Sequence, residues 1–297
     1  MLLRFNYIVE MYLNSFIYRL KKLISQITRN PSIILKVFNI KKIARVIKQL
    51  SNVQVSFRNL KKDYQLQVVF DTFKKIDLIS NENSILKNSF VKEKNIEEFE
   101  NQYLDNESCN KLKKLFNKYG SDKTTSSLVY IYFHIFNNYK IHSLFEIGLG
   151  TNNIKVRSNM GLDGTPGASL RAFRDYLNIK VYGADVDKEI LFEEDSIKTF
   201  FIDQLNEKTI TNIKKVLPKC DLIIDDGLHQ PDANLNVIYN LLDHLNTNGI
   251  LVVEDIEPDF KNIFKIIENI FNNTHLYRSS LIKMRKNGYC LLIQKLN

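Results

Sequence analysis

From residue 143 to the C-terminus, short and almost unbroken apolar runs alternate with runs of helical periodicity, and this constrains the fold more than any other feature of the chain. Ser143–Gly148, Lys180–Asp185, Thr199–Asp203, Cys220–Asp226 and Gly249–Asp255 read as strands. They lack the in–out alternation of a half-exposed strand, so each is expected to be covered on both faces, as in a parallel sheet. Between them, Ser169–Leu177, Asn206–Leu217, Asp232–Leu245 and Asp259–Phe271 carry apolar residues at three- and four-residue spacing, the mark of helices. Strand–helix alternation of this kind predicts a doubly wound α/β sheet. Tyr277–Met284 and Tyr289–Lys295, joined through Asn287-Gly288, read as a closing antiparallel hairpin. The fold class expected is therefore α/β, a Rossmann-like sheet with an antiparallel end.

Upstream the grammar differs. Up to about Asn101 the chain has one proline, Pro31, and no glycine, and Phe16–Ile27 and Val37–Leu50 follow the pattern of amphipathic helices. Residues 1–107 are thus expected to form a helical accessory region, and residues 108–297 the α/β domain. The charge is divided in the same way. Residues 1–90 hold 16 Lys/Arg against 5 Asp/Glu, whereas the remainder holds 26 against 28, so the net charge of +9 belongs to the N-terminal third. A basic nucleic-acid track across the α/β part has no support. The basic helices are expected to pack on the α/β domain or on a partner subunit, a homo-oligomer included, or to rest peripherally on an anionic membrane face. No apolar stretch is long enough to span a bilayer. Cys109, Cys220 and Cys290 stand far apart and form no CxxC pair, which favours a reducing, cytoplasmic setting.

Ligands of open α/β sheets bind beyond the carboxyl ends of the strands, and acidic and glycine residues collect there. The first strand runs into Glu146-Ile147-Gly148-Leu149-Gly150, a turn that lets a ligand approach the backbone or is simply tight. The second ends at Asp185, where a carboxylate can accept from both ribose hydroxyls. Asn152–Pro166 forms a long polar insertion, read as a loop over the site or as a plain solvent loop. Asp203 follows the third strand as an adenine-side contact or a helix N-cap. Asp225-Asp226-Gly227-Leu228-His229 and Glu254-Asp255 close the fourth and fifth strands. Neighbouring carboxylates raise one another's pKa unless a cation neutralises them, and an oxygen-rich set with one imidazole suits Mg²⁺ or Mn²⁺ better than zinc. Individually, these residues also serve as helix caps or, for His229, as a packed surface residue.

Taken together, Tyr119-Gly120-Ser121-Asp122-Lys123, Phe145-Glu146-Ile147-Gly148, Gly167-Ala168-Ser169-Leu170-Arg171, Tyr182-Gly183-Ala184-Asp185, the DDGLH segment and Val253-Glu254-Asp255 resemble the metal-dependent sugar O-methyltransferases. These have the class I methyltransferase fold and act on macrolide sugars and in bacterial surface-glycan pathways. The resemblance covers about residues 110–297. It implies S-adenosylmethionine and Mg²⁺ or Mn²⁺ as cofactors and a sugar or glycan-precursor hydroxyl as acceptor. Asp226, Glu254 and Asp255 would be the metal ligands and His229 the general base. Tyr119, Ser121, Glu146, Gly148, Gly150, Ser169, Asp185, Asp203 and Asp225 would surround the cofactor. Two departures stand out: Leu228, where a small polar residue is common, and the length of the Asn152–Pro166 loop. Three rival readings keep the fold. One is an iron-dependent hydroxylase, disfavoured by the single histidine; the others are a phosphate-type acceptor oxygen and a scaffold that binds cofactor without turnover.

Overall fold

A computed structural model describes residues 94–296 except 162, 163, 286 and 287, together with 67, 68, 71, 72, 74–76, 78 and 79. The helices expected at Phe16–Ile27 and Val37–Leu50 lie outside these residues, as does Asn287 of the expected hairpin turn.

The described elements run β1 (Lys94–Asn95), α1 (Ile96–Tyr103), α2 (Glu107–Tyr119), α3 (Leu128–Asn138), β2 (Leu144–Ile147), α4 (Ala168–Leu177), β3 (Val181–Asp185), β4 (Glu193–Glu194), β5 (Ile197–Phe201), α5 (Glu207–Ile213), β6 (Cys220–Asp225), α6 (Pro231–Leu241), β7 (Leu245–Ile256), α7 (Lys261–Asn272), β8 (Tyr277–Lys283) and β9 (Tyr289–Lys295). They form one sheet in the order β1-β8-β9-β7-β6-β2-β3-β5-β4. Strands β5, β3, β2, β6 and β7 are parallel, and β9 runs antiparallel to both β7 and β8. A parallel sheet that finishes in an antiparallel pair is the class I methyltransferase arrangement expected from the sequence.

Both faces of the sheet are covered, which explains the unbroken apolar strands. Leu144, Val181, Leu222, Ile224, Ile250 and Val252 join one core with Leu112 and Phe116 of α2, Ile131 and Tyr132 of α3, and Phe173 of α4. The intervening strand residues Phe145, Ile147, Ile223, Leu251 and Val253 are equally buried and point the other way. On that side α5–α7 bury Ile210, Leu235, Ile238, Phe264 and Phe271. The N-terminal segment Lys94–Tyr103 is built into the same body: β1 pairs with β8, Ile96, Phe99 and Tyr103 enter the first core, and Glu100 pairs with Arg285.

Register places the site. Ile147 lies opposite Ala184 on one side and Asp225 on the other, and Asp225 lies opposite Val253. The residues that follow these positions, Gly148, Asp185, Asp226 and Glu254, therefore meet at one edge. Between Val253↔Leu291 and Ile256↔Tyr289 the β7–β9 ladder slips by a residue, a bulge in β7. Bulges re-aim side chains; here Glu254 turns into the protein, while Asp255, in the left-handed region at φ 49°, faces outward.

Candidate active site

A cavity of about 340 Å³ lies over the carboxyl ends of the strands. Its walls include Ser121, Gly148, Gly150, Ser169, Asp185, Asp203, Asp226, His229 and Asp255, nine of the residues singled out in the sequence. Glu146, Asp225 and Glu254 lie beneath this surface, fully buried. Tyr119 stands apart, its hydroxyl bonded to Asp175 of α4.

The floor is shaped by Gly148, whose φ of 96° and close packing exclude a side chain: a Cβ there would sit 2.0 Å from the carbonyl oxygen of Asp226. Asp185 accepts the amides of Leu149 at 2.7 Å and Asp187 at 2.8 Å, which fixes its carboxylate on the cavity wall. Ser169 donates to Glu146 at 2.6 Å. Asp225 accepts from Gln204 Nε2 at 2.7 Å and Asn234 at 2.8 Å, while Gln204 Oε1 accepts the Leu228 amide at 2.7 Å. Burial raises the pKa of Asp225 against these donors. Asp225 thus supports the Asp226–His229 turn from below and does not reach the cavity. Asp203 accepts the Leu205 amide at 3.0 Å, a local turn bond that leaves it on the wall.

The acidic residues divide into two clusters that share Asp226. Asp226, His229 and Asp255 present ligand atoms within 4.8 Å of one another on the open side, and so do Glu146, Asp226 and Glu254 on the buried side. His229 Nε2 stands 3.9 Å from Asp226 Oδ1, and Nδ1 is buried with no hydrogen-bond partner among the described residues. His229, like Asp255, is held at positive φ (54°), strain of a kind that concentrates at functional sites.

The buried cluster encloses Lys123, only 1% exposed. Its Nζ lies 2.7 and 2.8 Å from the two Glu254 oxygens, 2.9 Å from Asp226 Oδ2 and 3.3 Å from Glu146 Oε1. Burial by itself would lower the pKa of this lysine, but the charges of Asp226, Glu254 and Glu146 outweigh it and hold the ammonium protonated. Burial also pushes Glu146 up to about 7, against the pull of Lys123. Tyr132 of α3 donates to Glu254 as well. Helix α2 ends at Gly120 in the left-handed region, and Ser121 caps the 3-10 turn Asp122–Thr124 that carries Lys123 inward. The family resemblance sets Tyr119 and Ser121 of this segment beside the cofactor. It did not reveal that Lys123 answers the carboxylates, because its partners lie 103 and 131 residues away.

The Asn152–Pro166 insertion contains no helix or strand among its described residues and lends Lys155, Val156, Arg157, Ser158, Met160 and Thr165 to the cavity wall. Arg157 donates to Gln230, next to His229, at 3.1 Å.

No family model matches the chain. Over 100 residues it is 28% identical to the 8-demethyl-8-alpha-L-rhamnosyl tetracenomycin-C 2'-O-methyltransferase of Streptomyces olivaceus, a match covering 33% of this chain and 26% of that protein. Over 91 residues it is 29% identical to the demethylmacrocin O-methyltransferase of Streptomyces fradiae, covering 30% and 23% respectively. Both relatives are O-methyltransferases, and the first is named for a rhamnosyl-bearing substrate. The chain spans about a quarter of the length of the curated relatives it matches. Among solved structures, the MycE methyltransferase of the mycinamycin biosynthetic pathway, in complex with Mg and SAH, aligns at 20% identity and a TM-score of 0.48 over 63% of this chain and 55% of that one.

Proposed function

We propose that this protein is an S-adenosylmethionine-dependent, divalent-metal-assisted O-methyltransferase that acts on a sugar hydroxyl, in surface-glycan or natural-product biosynthesis. One observation carries the reading. Asp226, His229 and Asp255 converge on the open side of a cavity whose other walls hold the strand-end Asp185 and the Gly148–Gly150 turn.

The cavity divides by chemistry. Asp185 would accept ribose hydroxyls, and Asp203, Ile202 and Leu205, which line the same cavity, would flank the adenine. Helix α4 starts at Gly167 with no side-chain cap, and Ala168 and Ser169 reach the wall. Its first amides suit a carboxylate such as that of the methionine moiety.

The open cluster fits a hard divalent ion. Two carboxylates and an imidazole offer ligand atoms within 4.8 Å, and the His229 Nδ1 atom is orphaned beside them. Asp226, Glu254 and Asp255 would hold Mg²⁺ or Mn²⁺, Asp226 and Asp255 from the open side and Glu254 from behind, where its oxygens now meet Lys123, with His229 at the edge. When bound, the ion supplies Lewis acidity that lowers the pKa of an acceptor hydroxyl, and S-adenosylmethionine supplies the methyl group. The protein orients the acceptor oxygen in line with that methyl, and His229 takes the hydroxyl proton as the O–C bond forms and the S–C bond breaks.

Methyl transfer from labelled S-adenosylmethionine to a panel of sugar acceptors tests the reading. Turnover stimulated by Mg²⁺ and abolished by EDTA is the expected result. Cofactor binding without transfer to any acceptor would leave only a binding scaffold. An iron-dependent oxygenase is disfavoured by the site itself, since a facial triad needs two histidines and the open cluster has one.

A further inference from the structure

We propose that the acceptor is a phosphate-bearing sugar, and that Arg157 and Lys155 of the Asn152–Pro166 insertion bind its phosphate beside His229. The methyl group still goes to a hydroxyl, and the phosphate serves only as a handle. This rests on the methyltransferase reading and names its substrate class.

Three observations carry the assignment. The first is charge. Apart from the sealed Lys123, the formally charged residues of the cavity wall outside the insertion are all aspartates, Asp226 and Asp255 among them. Such a wall repels an anionic acceptor unless cations meet it. Among the described residues, Lys155 and Arg157 are the solvent-accessible cations of that wall. The second is the way Arg157 is held. Its guanidinium donates to Gln230 Oε1 at 3.1 Å, and Gln230 Nε2 donates to Asp232 Oδ1 at 2.9 Å. Gln230 and Asp232 are both buried, so the amide is fixed with its oxygen toward Arg157. Gln230 also directly follows His229, which ties the guanidinium to the segment that carries the base, the acceptor side of the site. The third is the stem of the insertion. Buried Thr151 donates to Asp187 at 2.5 Å, the Asn153 amide donates to Thr151 Oγ1 at 3.0 Å, and the Lys155 amide donates to Asn153 Oδ1 at 3.1 Å. The segment bearing both cations is thereby anchored beyond β3. The planar fork of a guanidinium matches phosphate oxygens, with a lysine beside it as a point charge, and two cations suit a phosphate better than the single charge of a uronate.

The test is calorimetric titration of the full chain, saturated with S-adenosylhomocysteine and Mg²⁺. The probes are common hexoses in four forms: the methyl glycoside, the uronate, the sugar 1-phosphate and the nucleoside diphosphate sugar. A phosphate-bearing form should bind, and the methyl glycoside of the same sugar should bind far more weakly. Equal affinity for the 1-phosphate and the nucleotide form would identify a lone phosphate as the handle, and tighter binding of the nucleotide form a diphosphate. Arg157→Gln should weaken the phosphate-bearing probe by about 10–100-fold, as for a lost charge-assisted hydrogen bond, and Lys155→Gln by a smaller factor. Arg157→Lys keeps the charge without the fork and should recover part of the loss. The dissociation constant of S-adenosylhomocysteine should be the same in all of them. Preference for the methyl glycosides or the uronates, no binding of any phosphate-bearing probe, or equal phosphate affinity in wild type and Arg157→Gln would each overturn the proposal while leaving the methyltransferase reading intact. Weaker S-adenosylhomocysteine binding in Arg157→Gln would place that residue on the cofactor carboxylate and overturn it as well. A wild type that binds no S-adenosylhomocysteine would instead remove the methyltransferase reading, and this proposal with it.

Discussion

At the residue scale, His229 and Lys123 show how two basic side chains at one strand edge do different work. His229 stands at the mouth, in the cavity wall and close to Asp226 Oδ1; Lys123 lies behind the same carboxylate, sealed from solvent. Only the first can exchange a proton with a bound acceptor. His229→Ala is therefore expected to lower kcat by about 10²–10⁴-fold, the usual cost of losing a general base, with the dissociation constant for S-adenosylhomocysteine unchanged. Calorimetry beside a turnover assay checks both. An unchanged kcat would remove His229 from the reaction. The sequence exposed His229 because it follows an acidic strand end at close spacing, which is local information. It showed that crowded carboxylates need a cation, but not that the chain supplies one itself, since that depends on α2, β2, β6 and β7 meeting in space.

At the element scale, the strand ends are tied to one another by side chains, and Gln204 is the main tie. It follows β5, donates to Asp225 of β6 and accepts the Leu228 amide of the DDGLH turn, and Asn236 of α6 donates to its backbone carbonyl. Gly227 accommodates this packing, because a Cβ there would fall 2.0 Å from Gln204 Oε1. Gln204→Leu keeps the volume and strips both side-chain bonds, leaving the buried Asp225 carboxylate one donor short and the Leu228 amide without its acceptor. A cost of about 1–3 kcal/mol follows, or a fall in Tm of about 2–10 °C, together with weaker Mn²⁺ binding as the turn loses its support. Scanning calorimetry with and without Mn²⁺ reads both effects. The strands themselves were legible because burial on two faces writes a continuous apolar run. Their neighbours were less so: β1 and β4 have two residues each, too few to show a period, and α5 stops at Ile213 although its apolar pattern continues to Leu217. The β7 bulge that separates Glu254 from Asp255 is a property of pairing with β9 and leaves no mark in β7 alone.

For the whole molecule, the question is where the α/β body begins. Composition changes near Ser108, and a boundary there follows from the first glycines and the first strand–helix alternation. Packing extends further back. Ile96, Phe99 and Tyr103 are core residues, β1 extends the sheet, and buried Glu100 is clasped by the largely exposed Arg285 beyond β8. A chain that starts at residue 67, the first described, keeps these contacts and is thus expected to melt cooperatively, whereas one that starts at residue 108 exposes the surface left by three buried side chains and loses Tm or solubility. The ion pair adds a pH signature to the same contact. Burial works to raise the pKa of Glu100, but hydrogen bonds from Arg285 and Ser127 and the Arg285 charge outweigh it and hold it below the ordinary 4.5. A carboxylate depressed on folding stabilises the native state above its unfolded pKa and loses that contribution as pH falls through the folded value. Glu100→Gln should therefore lower Tm near neutral pH, and the gap from the wild type should close at pH values below about 4. Parallel melts from pH 7 to pH 3 would show it. A gap that stayed constant across that range would mean that Glu100 contributes by packing alone, and that its charge does nothing to hold the N-terminal segment against the sheet.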